Sequence, residues 1–172
     1  MAGSLIKIDE EIVSSAVASV TLTGIDSTYD VYMVKINKLE VATDQRDIKV
    51  RFTESGTPNT TANYDMAAKI MSAGQAFENA SETNATSMDV SLNIGNATGE
   101  QYNAIHYIFN ANNSSEYTFL TMENTMMSNA AELRGFQGGG VFTVASAVDG
   151  IQYIGDSTDI DSGTFTLYGL KK

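Results

Sequence analysis

The sequence predicts an all-β fold, a jelly-roll-like β-sandwich of about nine or ten short antiparallel strands. Three observations carry that expectation. Apolar and polar residues alternate with period two across most candidate elements, the pattern of strands with one buried face. The same segments are rich in Val, Ile, Thr, Tyr and Phe. Polar stretches of Asn, Ser, Thr and Gly separate them as turns and loops.

In chain order, the first element is an apolar arm over residues 1–12, carrying Leu5, Ile6, Ile8 and Ile12. A single sandwich domain over residues 13–172 follows. The arm has no evident strand partner of its own. Each of its apolar side chains gains ~1.5–3 kcal/mol on full burial, so the arm is expected to pack on another subunit. Ala16, Ala18, Val20 and Leu22 alternate with Ser15, Val17, Ser19 and Thr21. Tyr32, Val34 and Ile36 share one parity, as do Ile48, Val50 and Phe52. Tyr64–Met71 is ambiguous, but a helix would leave Met66 and Ile70 outside. A strand places Tyr64, Met66, Ala68 and Ile70 on one face, and that reading is preferred. Ser72–Ser87 is expected to be the longest loop, and Met88–Ile94 a strand with Met88, Val90, Leu92 and Ile94 aligned. Further strands are expected at Ala104–Asn110, Glu116–Met122, Gly140–Ala145, Gly150–Ile154 and Gly163–Leu170. A short helix is conceivable only over Met126–Arg134. The run Gly138-Gly139-Gly140 marks a tight bend or a close backbone approach. The expected core holds Val34, Val50, Phe52, Leu92, Phe109, Phe119, Phe165 and Leu167.

Composition narrows the function classes. A chain of 172 residues suits one domain, and 18% charged residues argue against long disorder. Acidic residues outnumber basic ones 21 to 10, giving a net charge of −11. That disfavours a grip on nucleic acid or on an anionic membrane, and it favours solubility. With no cysteine and one histidine, thiolate chemistry and a multi-histidine zinc site cannot be built from one chain. No segment approaches the ~18 apolar residues of a membrane span. The N-terminal residues do not read as a signal peptide, so synthesis in a cytoplasm is expected.

Few residues point to chemistry. Asp156, Asp159 and Asp161 supply hard oxygen donors on a short loop, which suits Ca²⁺. Their spacing is not that of an EF-hand loop, and Asp is also an ordinary turn former, so no metal is expected. His106 faces opposite to Ile105, Tyr107 and Phe109, the pattern of a surface or interface residue rather than a catalytic base. Glu116, Glu123 and Glu132 are acidic residues on strand edges, which deter edge-to-edge pairing more often than they form a glycosidase pair. The Asn-x-Ser/Thr triplets, from Asn59 to Asn113, reflect loop composition. For sugar stacking, Tyr102 and Tyr168 are the aromatics expected to be free, while Tyr32, Tyr107 and Tyr117 are expected in the core.

Five stretches carry a resemblance. They are Leu22–Tyr32, Ile48–Phe52, Asn63–Ala67, Ala145–Tyr153 and Ser162–Leu170, together about a quarter of the chain. They resemble early and closing strand pairs of small structural proteins of tailed bacteriophages. The resemblance implies a jelly-roll virion component, either a capsid decoration protein or part of a head or tail fibre. None of the matched residues is catalytic in that group, and no cofactor is implied. The expectation is therefore a non-enzymatic decoration or cement protein, made in the host cytoplasm and located in the virion. Its partners would be the major capsid protein or other virion proteins. It would act as a homo-oligomer, a trimer being favoured because capsids offer threefold sites. The alternative is a fibre module that binds a host cell-surface glycan.

Overall fold

A computed structural model describes residues 4–74 and 77–170. Among them there is no helix, and every strand pairing is antiparallel. The strands are β1 (Leu5–Val13), β2 (Ser19–Thr23), β3 (Val31–Val41), β4 (Ile48–Glu54), β5 (Thr57–Pro58), β6 (Tyr64–Ser72) and β7 (Glu78–Ala85). Then come β8 (Met88–Asp89), β9 (Tyr102–Phe109), β10 (Thr118–Met127), β11 (Leu133–Phe142), β12 (Gly150–Gly155) and β13 (Ile160–Leu170).

They form two sheets. The larger has eight strands in the order β1-β13-β3-β9-β10-β11-β6-β7. The smaller runs β2-β12-β4-β5, with β8 also on β4. This is a β-sandwich. The order, with its β9–β10–β11 meander, does not establish the more particular jelly roll.

The core lies between the inner faces. Phe52, Val50, Val34, Phe165 and Leu167 are buried there, as their parity predicts. Phe52 of β4, Tyr64 of β6 and Phe142 of β11 cluster, with the Tyr64 and Phe142 rings 4.9 Å apart. Tyr153 of β12 lies 5.4 Å from Phe165 of β13, so these rings join the two sheets.

Several elements differ from expectation. Part of the expected loop Ser72–Ser87 is β7, an exposed polar strand on the edge of the large sheet. Its sequence carries no apolar alternation because only Ala80 and Ala85 touch the core; Gln75 and Ala76 of that loop lie outside the described residues. Met88–Ile94 is a strand only at Met88–Asp89; its apolar side chains are still largely buried, with Leu92 only half-buried. Met126–Arg134 is not helical but joins β10 to β11 as a hairpin. The glycine run lies within β11 and serves close approach, not a bend. A Cβ at Gly138 would strike the Ala67 carbonyl, and one at Gly140 would strike the Met88 sulfur.

The largest correction concerns facing. β9 buries Tyr102, Ala104, His106 and Ile108 and turns Ile105, Tyr107 and Phe109 outward. Phe119 of β10 is likewise outside, 45% exposed. Phe109 and Phe119 are therefore not core residues. The outer face of the large sheet carries apolar side chains of its own at Ile105, Tyr107, Phe109 and Phe119, so hydrophobicity alone could not say which parity of these strands points in.

Candidate functional site

The N-terminal segment is not a free arm. Leu5–Val13 pairs antiparallel with β13 along its length and forms one edge of the large sheet; residues 1–3 lie outside the described residues. The register shifts between Lys7 and Asp9, a bulge that sets Ile8 aside from the ladder. Ile8 packs on the core against Gly24, whose φ of +92° suits a residue without a side chain.

Val13 closes the strand inside the core, while the remaining apolar residues of β1 stay wet. Leu5 is 52% exposed, Ile6 39% and Ile12 67%. Between them the strand is laced with charge. Lys7 Nζ lies 3.1 Å from Glu10 Oε1, and the Thr166 hydroxyl donates to Glu10 at 3.1 Å. Those two contacts hold the Glu10 carboxyl below its usual range. Asp9 accepts from the Thr23 amide at 2.8 Å and so ties β1 to the small sheet. The result is an edge strand of nine residues with apolar side chains at both ends. An edge of this kind presents a row of main-chain donors and acceptors to another chain.

His106 is fully buried, not on the surface. Its Nδ1 lies 2.9 Å from the Tyr153 hydroxyl and its Nε2 3.2 Å from the Tyr102 hydroxyl. Tyr102 donates to the Val90 carbonyl at 3.1 Å, and Asn124 Nδ2 donates to the same carbonyl at 2.6 Å. Asn124 Oδ1 accepts from the Phe136 amide at 3.0 Å. Burial lowers the His106 pKa to about 3, so the ring is neutral. Burial also raises Tyr102 and Tyr153 above the ordinary tyrosine range. These groups satisfy one another across the two sheets, leaving the imidazole no access to a substrate. Tyr102, expected free for sugar stacking, is buried in this network; Tyr168 is half-buried on the outer face of β13. Tyr107 is half-buried and Tyr117 exposed, so of the three expected core tyrosines only Tyr32 is one.

Of the three aspartates expected on one loop, Asp156 and Asp159 lie in the β12–β13 loop and Asp161 lies within β13, all of them exposed. Asp156 Oδ2 sits 3.7 Å from Lys49 Nζ, which also meets Asp89 at 3.2 Å. Among the described residues, no group of three or more acidic or histidine side chains is placed to hold a metal ion. Glu132 is engaged by Arg134 at 3.3 Å and by the Gly74 amide at 2.9 Å. Glu123 stands on the outer face opposite Gln137 and Ile105, and Glu116 lies in the β9–β10 loop.

One cleft escaped the sequence reading because its residues are distant in the chain. At one end of the sandwich, Asp26, Tyr29, Asp30, Asn110, Asn112 and Glu116 line an open cavity of about 470 Å³. The Tyr32 hydroxyl donates to the Asp26 carbonyl at 2.5 Å and fixes the loop. Hydrogen bonding from Thr28 holds the Asp26 carboxyl below its usual range.

No family model matches the chain, and no curated protein matches it.

Proposed function

We propose that this protein is a non-enzymatic structural component of a tailed-bacteriophage virion, a decoration protein seated on the outer shell. The observation that carries the reading is the β1 edge, where Leu5, Ile6 and Ile12 stay exposed on a nine-residue strand at the sheet border. An apolar edge of this kind fits strand addition by, or packing against, another virion protein. The resemblance of five strand segments to phage structural proteins points the same way. Net charge of −11 and the lack of cysteine suit a protein made at high copy number in a cytoplasm. In this reading the copies act as a homo-oligomer, three being the number that the threefold sites of a shell accept.

Deleting the arm would uncover β13 and create a new edge, so substitution is the cleaner test. Leu5→Lys with Ile12→Lys alters exposed side chains and leaves the ladder in place. Surface changes of this kind cost about 0.5 kcal/mol or less in folding. Particles lacking the protein should pull the wild type down on sedimentation and leave the double variant in the supernatant. Equal co-sedimentation would remove β1 from the interface.

A second reading has its own observation. The end cleft brings carboxylates, amides and the Tyr29 ring together, the groups that hold sugar hydroxyls. That favours a head-fibre or tail-fibre module on a host glycan. Copy number separates the two readings, since decoration requires about as many copies as the shell has sites and a fibre far fewer.

A further inference from the structure

We infer that the outer face of the eight-stranded sheet is a twofold contact between two copies of this chain. The starting point is the facing of β9. That strand buries His106 and turns Ile105, Tyr107 and Phe109 to the outer face, Ile105 exposed and the two rings half-buried. The pattern continues across neighbouring strands. Tyr168, Met33 and Tyr107 are successive cross-strand partners over β13, β3 and β9. Phe109, Phe119 and Val141 are successive partners over β9, β10 and β11. The six side chains make one apolar band across five strands, with Met33 already covered by its neighbours and the other five half-buried or exposed. A continuous band of this kind on a soluble chain marks an interaction surface.

The relief of the band argues for a second copy as the occupant. Phe119 projects from it, 45% exposed. Beside it the face sinks, because Gly139 has no side chain and its neighbour Ala67 has only a methyl group. The hollow has a volume of about 550 Å³, and Phe119 and Val141 form one wall. Knob and hollow are one to two strand spacings apart, about 5–10 Å. A twofold axis lying in the plane of the face, midway between them, sets each Phe119 over the partner's hollow. Both contacts then form at once, as an isologous interface requires.

Area and charge agree. Eight strands at ~4.8 Å spacing and about ten residues long present a face on the order of 1,000 Å². A standard interface needs about 800 Å² from each partner. The row bordering the band carries Lys35, Glu123 and Lys69, and Asp65 and Glu82 line the hollow, so charged groups of both signs surround the apolar centre. Apolar centre and charged border match the usual anatomy of an interface.

The contact is independent of β1 and of any virion role, and it joins single copies or larger rings in pairs alike. The test is the mass of the free, full-length protein by sedimentation velocity over a wide concentration range. Two variants are compared, Phe119→Asp to remove the knob and Ala67→Leu to fill the hollow. Both residues are exposed, and unchanged thermal unfolding of the dissociated variants checks that they fold. The wild type should reach twice the mass of either variant, and each variant should weaken association about tenfold or more. The Leu5→Lys/Ile12→Lys variant should associate like the wild type, which separates this contact from the β1 reading. Equal mass for wild type and Phe119→Asp at every concentration would overturn the inference. So would association that survives either substitution.

Discussion

At the scale of single residues, His106 has the clearest consequence. Its folded pKa is about 3, far below the ordinary value near 6.5, because burial disfavours the imidazolium. The unfolded chain therefore binds a proton that the folded chain does not. Stability is fully present above about pH 6.5 and falls as the pH drops toward 3, by ~1.4 kcal/mol per unit. Between pH 7 and pH 5 the loss should be roughly 2 kcal/mol. The carboxyls held low in the folded state, Asp26, Glu10 and Glu132, lose their stabilising effect only at lower pH. Urea midpoints at pH 7 and pH 5 measure the effect, and His106→Gln should flatten the dependence. An equally steep loss in that variant would assign it to other groups. Phe165 is a second test, fully buried beside Tyr153. Phe165→Ala should cost ~3–5 kcal/mol in chemical denaturation, as large aromatic truncations do.

Elements show where sequence reasoning succeeds and where it stops. β3, β4 and β6 were legible because one face is buried and the other wet, so alternation names the core side. β9 and β10 carry apolar residues on both faces, and parity alone then has two answers. β7 covers only Ala80 and Ala85 and hence shows no apolar pattern. The pairing of β1 with β13 joins the two ends of the described chain, and no local signal encodes a contact that distant. The end cleft was illegible for the same reason, since it is built from the β2–β3 and β9–β10 loops. Of the two readings the glycine run allowed, a tight bend or a close approach, the structure shows the close approach, and its members should differ. Gly138→Ala meets the backbone of Ala67 and Ala68 and should destabilise by ~1–3 kcal/mol. Gly139→Ala meets only the Leu120 carbonyl, at 3.2 Å, and should cost much less. Denaturant midpoints of the two variants give the comparison. In the β12–β13 loop, Asp156 is turned to Lys49. Chelator should therefore leave the melting temperature unchanged, and a shift of several degrees reversed by calcium would restore the metal reading.

At the scale of the whole molecule, two uncovered surfaces remain on a well-packed sandwich. One is the β1 edge, the other the outer face of the large sheet. Two apolar surfaces left wet beside a buried core support the proposed assembly role, and the virion reading gives those surfaces something to meet. The most direct measurement of that proposal is the number of copies of this chain in purified phage particles, by quantitative mass spectrometry against the major shell protein. The proposed function predicts a count comparable with the shell's symmetry sites. Absence from the particles would contradict it, and a handful of copies per particle would replace decoration with the fibre reading.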